Sequence, residues 1–157
     1  MVNYALVGRC GIHCGSCGLY RAYRDKGEYL QQVSEAWEMP VEKIRCEGCH
    51  ALTANCAGSK CKIVNCLNSK GFEYCYECSE YNEHSCEKYE GLAKRWAVDD
   101  VDLRANLERI KTGAVEDWLK ESEERFRCQE CGEPLPVLGW NVKKRCYHCG
   151  VELSKQH

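Results

Sequence analysis

The chain has 157 residues, which is enough for one ordinary domain or for two or three small ones. Its 15 cysteines stand beside only two Phe and two Met, so the apolar core must be thin and needs cross-links or metal ions for stability. The net charge of −2 gives no general attraction to nucleic acid or anionic membranes, and no run approaches the roughly 20 apolar residues of a membrane-spanning helix.

The cysteines are better explained as metal ligands than as disulfides. The first ten residues contain neither a basic start nor a sustained apolar run, so we expect no signal peptide and a reducing, cytoplasmic setting. Five pairs of cysteines are separated by two residues, a spacing with which two thiolates can hold one tetrahedral ion. These pairs are Cys14/Cys17, Cys46/Cys49, Cys75/Cys78, Cys128/Cys131 and Cys146/Cys149.

Cysteine content divides the chain into three regions. Residues 1–91 form a cysteine-rich metal-binding domain with short helices, residues 92–126 form a helical connector without cysteine, and residues 127–157 form a zinc ribbon. We therefore predict a small, metal-stabilised fold of the α+β class, in which the β structure lies in the ribbon.

In the first region, apolar residues at helical spacing predict a helix that Ser16 caps and that Gly27 breaks into two pieces. Residues 62–70 predict a second short helix, with Gly71 as its C-terminal stop.

Eleven cysteines of the first region supply two predicted sites with three to spare. Chain proximity places one site at Cys46, Cys49, Cys61 and Cys66, with Cys56 as a substitute. The other site joins Cys14 and Cys17 to Cys75 and Cys78, with Cys10 and Cys86 close by. Zinc is the expected metal, and an iron–sulfur cluster is the alternative because closely spaced cysteines serve both.

The middle region predicts two amphipathic helices. Asp99 or Asp100 caps the first helix, and Gly113 ends or bends it. The apolar faces of the two helices carry Leu103, Leu107 and Ile110, and then Val115, Trp118, Leu119 and Phe126.

The last region contains two near repeats, each reading Cys, two residues, Cys-Gly, two residues, Leu. A glycine at this point tolerates the left-handed backbone of a zinc knuckle. The four predicted ligands are Cys128, Cys131, Cys146 and Cys149, which make a closed structural site. A β-hairpin between the knuckles is predicted from residues 135–138 and 140–143.

The order of these motifs resembles a prokaryotic family of unknown function whose members are described as zinc-binding proteins. The resemblance begins with the CGxxCxxC motif of Cys10-Gly-Ile-His-Cys14-Gly-Ser-Cys17 and continues through Cys46-Glu-Gly-Cys49, Cys61 to Cys66, and Cys75-Tyr-Glu-Cys78 to Cys86. It implies metal binding and the three-region layout, and it supplies no substrate, reaction or catalytic residue.

Two functional hypotheses follow. The first is a structural or interaction module with two or three zinc ions, which contacts a protein or nucleic acid partner, and no membrane, through Trp140, Lys143, Lys144 and Arg145 of the ribbon. The second is a redox or metal-dependent enzyme that uses the N-terminal cysteines. The sequence contains no Ser-His-Asp order, no His-Glu-x-x-His helix and no phosphate-binding loop, so we assign no catalytic residue and favour the non-enzymatic module.

Overall fold

The computed structural model describes residues 2–141 and 143–154, and within these ranges the chain is helical without a single β-strand. Seven α-helices are present in the described part: α1 Gly18–Asp25, α2 Gly27–Ala36, α3 Lys62–Lys70, α4 Ser79–Asn82, α5 Glu87–Ala97, α6 Leu103–Lys111 and α7 Val115–Arg125. Single 3-10 turns lie at Tyr4–Leu6, Cys14–Ser16, Val41–Lys43, Cys49–Ala51, Ala57–Lys60, Cys75–Glu77 and Leu138–Trp140. None of the helices described here is long and apolar enough to cross a membrane.

The predicted α+β class, and with it a zinc ribbon built on a β-hairpin, is therefore wrong. The backbone N–H and C=O groups that would pair in the hairpin form hydrogen bonds with other parts of the chain. Leu135 N–H donates to the Phe126 carbonyl at 2.7 Å, and Val137 N–H donates to the Ser16 carbonyl at 3.0 Å. The Trp140 carbonyl accepts a hydrogen bond from the Tyr29 hydroxyl at 3.0 Å. The segment thus runs along the helices instead of pairing with itself.

Glycines set two of the helix boundaries as the sequence predicts. Gly27 has a φ of 56° and is the first residue of α2, directly after Lys26, which lies between α1 and α2. Gly71 closes α3 in the left-handed conformation, with φ 72° and ψ 25°. Both dihedral angles lie where a side chain would be strained.

The predicted helix caps are wrong. The cap of α6 is Asp102, whose carboxylate accepts from Ala105 N–H at 3.0 Å. Asp100 instead has a φ of 57°, and Asp99 accepts a hydrogen bond from Gly139 N–H. Ser16 does not cap α1, because its hydroxyl donates to the His13 carbonyl.

The main apolar core draws residues from all parts of the chain. Helices α5, α6 and α7 pack around the N-terminal loop, and Val137 reaches the same core from the C-terminal segment. A smaller core lies between α1 and α2 and around Ile44. The most buried members of the main core include Val7, Tyr89, Leu103, Leu107, Trp118, Leu119 and Val137.

Gly18 is the point where the C-terminal segment touches α1 most closely. A Cβ atom at Gly18 would lie 2.1 Å from the Trp140 ring, and that ring stacks on Trp37 with centroids 4.6 Å apart. Because the Trp140 ring must shift to admit the methyl group, we expect Gly18→Ala to lower the free energy of unfolding by about 1–3 kcal/mol.

The matched control is Gly91→Ala in α5, where nothing lies within 4 Å of the added methyl group. This change should stabilise the protein by about 0.5–1 kcal/mol, the usual gain of alanine over glycine in a helix. Urea unfolding at fixed zinc concentration measures both variants. Equal effects of the two changes would contradict the close contact at Trp140.

Candidate metal centres

Four cysteines of the last region form a compact group, called here the C-terminal group: Cys128, Cys131, Cys146 and Cys149. Their Sγ atoms all lie within 4.8 Å of one another. The Sγ atoms of Cys128 and Cys149 are 3.7 Å apart, and those of Cys131 and Cys146 are 3.8 Å apart. Four sulfurs about 2.3 Å from a central zinc ion are about 3.8 Å from one another, so the group has the size of one tetrahedral site.

The two halves of this group have the same backbone geometry. Gly132 and Gly150 have φ values of 74° and 81°, and their N–H groups donate to the carbonyls of Cys128 and Cys146 at 2.8 and 2.7 Å. Each half closes with an isolated β-bridge, Arg127 to Pro134 in one and Arg145 to Glu152 in the other. The glycine positions predicted from the repeats therefore take the left-handed conformation.

Backbone amides favour the thiolate form in this group. Burial raises the pKa of Cys128, but the backbone N–H groups of Cys131 and Glu130 act against it and bring the pKa down to about 7. Since a metal ion binds the thiolate, these amides support ion binding.

Tyr147 connects the C-terminal group to α1 and α2. Its ring stacks on Tyr29 with centroids 4.3 Å apart and an interplanar angle of 6°, and its hydroxyl donates to the Asp25 carboxylate. The imidazole of His148 lies 3.8 Å from the same carboxylate. Tyr147 and His148 lie between two cysteines of the C-terminal group, so the group positions the residues that contact α1 and α2.

The stacked pair provides a test of this contact. In a double-mutant cycle, Tyr29→Ala and Tyr147→Ala should show a coupling energy of about 0.5–1.5 kcal/mol in urea unfolding, as stacked aromatic pairs do. Tyr29→Ala combined with Tyr76→Ala is the control, because Tyr76 stacks on Tyr74 and not on Tyr29. Additive effects for both pairs would contradict the contact.

A second group of four cysteines, called here the helix group, surrounds a cavity of about 20 Å³. Cys66 lies in α3, Cys75 in a 3-10 turn, and Cys78 and Cys86 directly before α4 and α5. The ammonium of Lys70 donates to Cys78 Sγ at 3.3 Å. Burial raises the pKa of Cys78, but the N–H groups of Tyr81 and Glu80, together with Lys70, outweigh it and lower this pKa.

The remaining six ligand candidates line a much larger space, called here the cysteine cavity, of about 840 Å³. Burial is the main reason that the pKa of Cys17 rises to about 12, so this thiol is protonated at neutral pH. The six cysteines are Cys10, Cys14, Cys17, Cys46, Cys49 and Cys61.

Arg9 fastens the helix group to the loop that carries Cys10. Its guanidinium donates to the carbonyls of Glu73 and Phe72 at 2.8 and 2.6 Å. Its own carbonyl accepts from Cys75 N–H at 3.1 Å. Arg9 therefore links the loop that carries Cys10 to the turn that carries Cys75.

The structure divides the N-terminal cysteines differently from the predicted partition. Cys61 lines the cysteine cavity and Cys66 the helix group, although only four residues lie between them. Five positions along a helix correspond to a rotation that leaves two side chains about 140° apart, so helical periodicity could have separated them. The pairs Cys14/Cys17 and Cys75/Cys78 also line different cavities.

Cys56 and the histidines lie outside these groups. Cys56 is buried, and its sulfur contacts Thr53 and the Ala51 carbonyl. His50 Nε2 lies 3.0 Å from the Val7 carbonyl, and His84 is exposed beside Glu90. His13 is buried between Trp118 and Phe126, and burial followed by the charge of Arg21 lowers its pKa to about 4.

The residues predicted to contact a partner are engaged within the chain. Lys143 pairs with Glu28 at 2.7 Å, and Arg145 pairs with Glu152 at 3.3 Å. Lys144 donates to the Leu138 carbonyl at 3.1 Å. Trp140 stacks on Trp37, so all four residues make contacts within the chain, and their contact with a partner remains a prediction.

Comparison with known proteins places this cysteine-rich, candidate metal-binding chain in a family. The family described as "protein of unknown function (DUF3795)" matches residues 6–91, which is more than half of the chain, and the chain therefore belongs to it. The match covers the helix group and the cysteine cavity and leaves the C-terminal group outside. No curated protein and no solved structure gives a significant match.

Proposed function

We propose that the chain is a zinc-binding protein in which the C-terminal group holds one zinc ion as a structural site. The separations of 3.7 and 3.8 Å between its sulfurs carry the proposal, because they equal the edge of a tetrahedron of thiolates around zinc. Four protein ligands leave no open position for a substrate, so the ion supplies stability and not catalysis.

The helix group is the second zinc site of this proposal. Its cavity of about 20 Å³ is large enough for one ion, since about 10–15 Å³ suffices for a water molecule. Four cysteines and one ammonium group around such a space provide the ligands and offset part of their charge. No three of these sulfurs lie within 4.8 Å of one another, so the side chains would move closer together on binding the ion.

The two ions would add stability that the thin apolar core does not supply by itself. Structural zinc contributes on the order of 10–16 kcal/mol to the folding of a small site, which equals or exceeds the net stability of a whole domain. Tyr147 transmits this stability from the C-terminal group to α1 and α2. The function proposed is therefore a zinc-stabilised scaffold.

Metal analysis by mass spectrometry, on anaerobically purified and untagged protein, tests this proposal. We expect two zinc ions per chain, one fewer in Cys128→Ala and one fewer in Cys66→Ala. Cys56→Ala is the matched control, because it removes a buried cysteine that lies outside both groups. A folded protein without zinc, or a zinc content that Cys128→Ala leaves unchanged, would overturn the proposal.

A further inference from the structure

No three sulfurs of either the helix group or the cysteine cavity lie within 4.8 Å of one another, so volume, and not spacing, distinguishes the cysteine cavity from a site for one zinc ion. Ligands of a single tetrahedral zinc lie about 3.8 Å from one another. Across residues 2–141 and 143–154, only the C-terminal group brings three or more ligand atoms within 4.8 Å of one another. The volume of about 840 Å³ compares with about 20 Å³ at the helix group. A cluster of several metal ions fits such an arrangement, because its ligands bind different atoms.

Two Cys-x-x-Cys pairs face each other across this cavity. Cys14 is close enough to Cys49, and Cys17 to Cys46 and Cys49, for their charges to interact. Gly48 makes the approach feasible, with a φ of 98°. A Cβ there would lie 2.8 Å from the Ala5 carbonyl oxygen and 4.0 Å from Cys14 Sγ, so the loop contacts the N-terminal segment closely.

The surroundings suit a negatively charged, thiolate-ligated cluster. Apolar side chains such as Ile12, Leu52 and Ile63 form most of the wall. The ionisable side chains on the wall besides cysteine are Tyr20, Lys62, Glu87, Lys88 and Arg95. The three cations outnumber the single carboxylate and offset the charge that four thiolates bring.

We propose that the cysteine cavity holds an iron–sulfur cluster ligated by Cys14, Cys17, Cys46 and Cys49, with Cys10 and Cys61 on its remaining sides. Four thiolates are the usual ligand set of such clusters. The proposal goes beyond the two zinc sites and leaves them in place. The chain then contains two structural ions and one centre of a different metal, all held by cysteine.

Anaerobic reconstitution of the full chain with ferric iron, a thiol reductant and inorganic sulfide tests the proposal. We expect a broad visible absorption with iron and acid-labile sulfide in equal amounts, beside two zinc ions per chain. Cys14→Ala and Cys49→Ala should each lower the bound iron at least tenfold, while Val98→Ala, a change at an exposed position outside the cavity, should bind as much iron as the wild-type protein. A cluster retained in both cavity variants would overturn the assignment of ligands.

Alkylation of the wild-type protein keeps the test decisive if a variant fails to fold. With the cluster bound, Cys14, Cys17, Cys46 and Cys49 should be protected from a thiol reagent, as mapped by mass spectrometry, and exposed again after the iron is chelated. Three zinc ions without iron or sulfide would overturn this inference and leave the zinc function intact. A protein that binds the cluster but contains no zinc would overturn the zinc function and leave this inference intact.

Discussion

Replacing Cys146 by alanine is expected to release the segment from residue 127 to 154 from its ordered structure. Cys146 is 1% exposed, and it lies beside Cys128 and Leu135 in the small core of this segment. The substitution removes one of four zinc ligands and opens a cavity at the same point. Because structural zinc is worth about 10–16 kcal/mol to such a site, the remaining contacts should not hold the segment.

Limited trypsin digestion measures this effect. We expect cleavage at Arg127, Lys143 and Arg145 to accelerate at least a hundredfold in Cys146→Ala, with one zinc ion lost per chain. Resistance of the variant to trypsin after zinc loss would show that packing alone holds the segment.

The control is Cys56→Ala, which truncates another buried cysteine outside the three cysteine groups and should leave the cleavage rates and the zinc content unchanged. Release of the segment should also uncover Tyr29, which is fully buried in the intact protein and packs against Tyr147. A rise in tyrosine accessibility therefore accompanies the cleavage in Cys146→Ala and is absent in Cys56→Ala.

Local patterns in the sequence were sufficient for several helices and for one site. The glycines at positions 27 and 71 set boundaries because their left-handed dihedral angles are a local property. The repeated Cys-x-x-Cys-Gly units brought the four cysteines of the C-terminal group together as predicted, since each unit is a turn of fixed geometry. Short-range chemistry decided these features.

Long-range contacts decided the features that were missed. The hairpin failed because Val137 donates its hydrogen bond to Ser16, which is distant in sequence, and Leu135 donates to Phe126, which lies before the knuckle. The cap moved to Asp102 because Asp99 binds Gly139, forty residues away. The grouping of the N-terminal cysteines depends on how α3 is turned relative to the loops, which pattern and spacing leave open. The division into residues 1–91, 92–126 and 127–157 remains a prediction.

The core that holds the cysteine cavity in shape gives the second large expected effect. Leu107 of α6 is fully buried, and a Cβ atom built on Gly11 would lie 3.0 Å from its Cγ. Asn106 donates to the Gly11 carbonyl at 2.9 Å, and Tyr89 of α5 donates to the Cys10 carbonyl at 3.2 Å. Helices α5 and α6 thus fix the turn that carries the first cysteine of the cavity.

We therefore expect Leu107→Ala to lower the free energy of unfolding by about 2–5 kcal/mol, through lost apolar burial and an unfilled cavity. Urea unfolding at fixed zinc concentration measures the loss, and alkylation of Cys10 should become faster as the turn loosens. Val98→Ala is the control, since Val98 is 81% exposed and its truncation should change stability by no more than about 0.5 kcal/mol. A loss below about 1 kcal/mol in Leu107→Ala would contradict the packing of α6 on Gly11. So small a change in the free energy of unfolding is expected only where the core is loosely packed or collapses into the space left by the side chain.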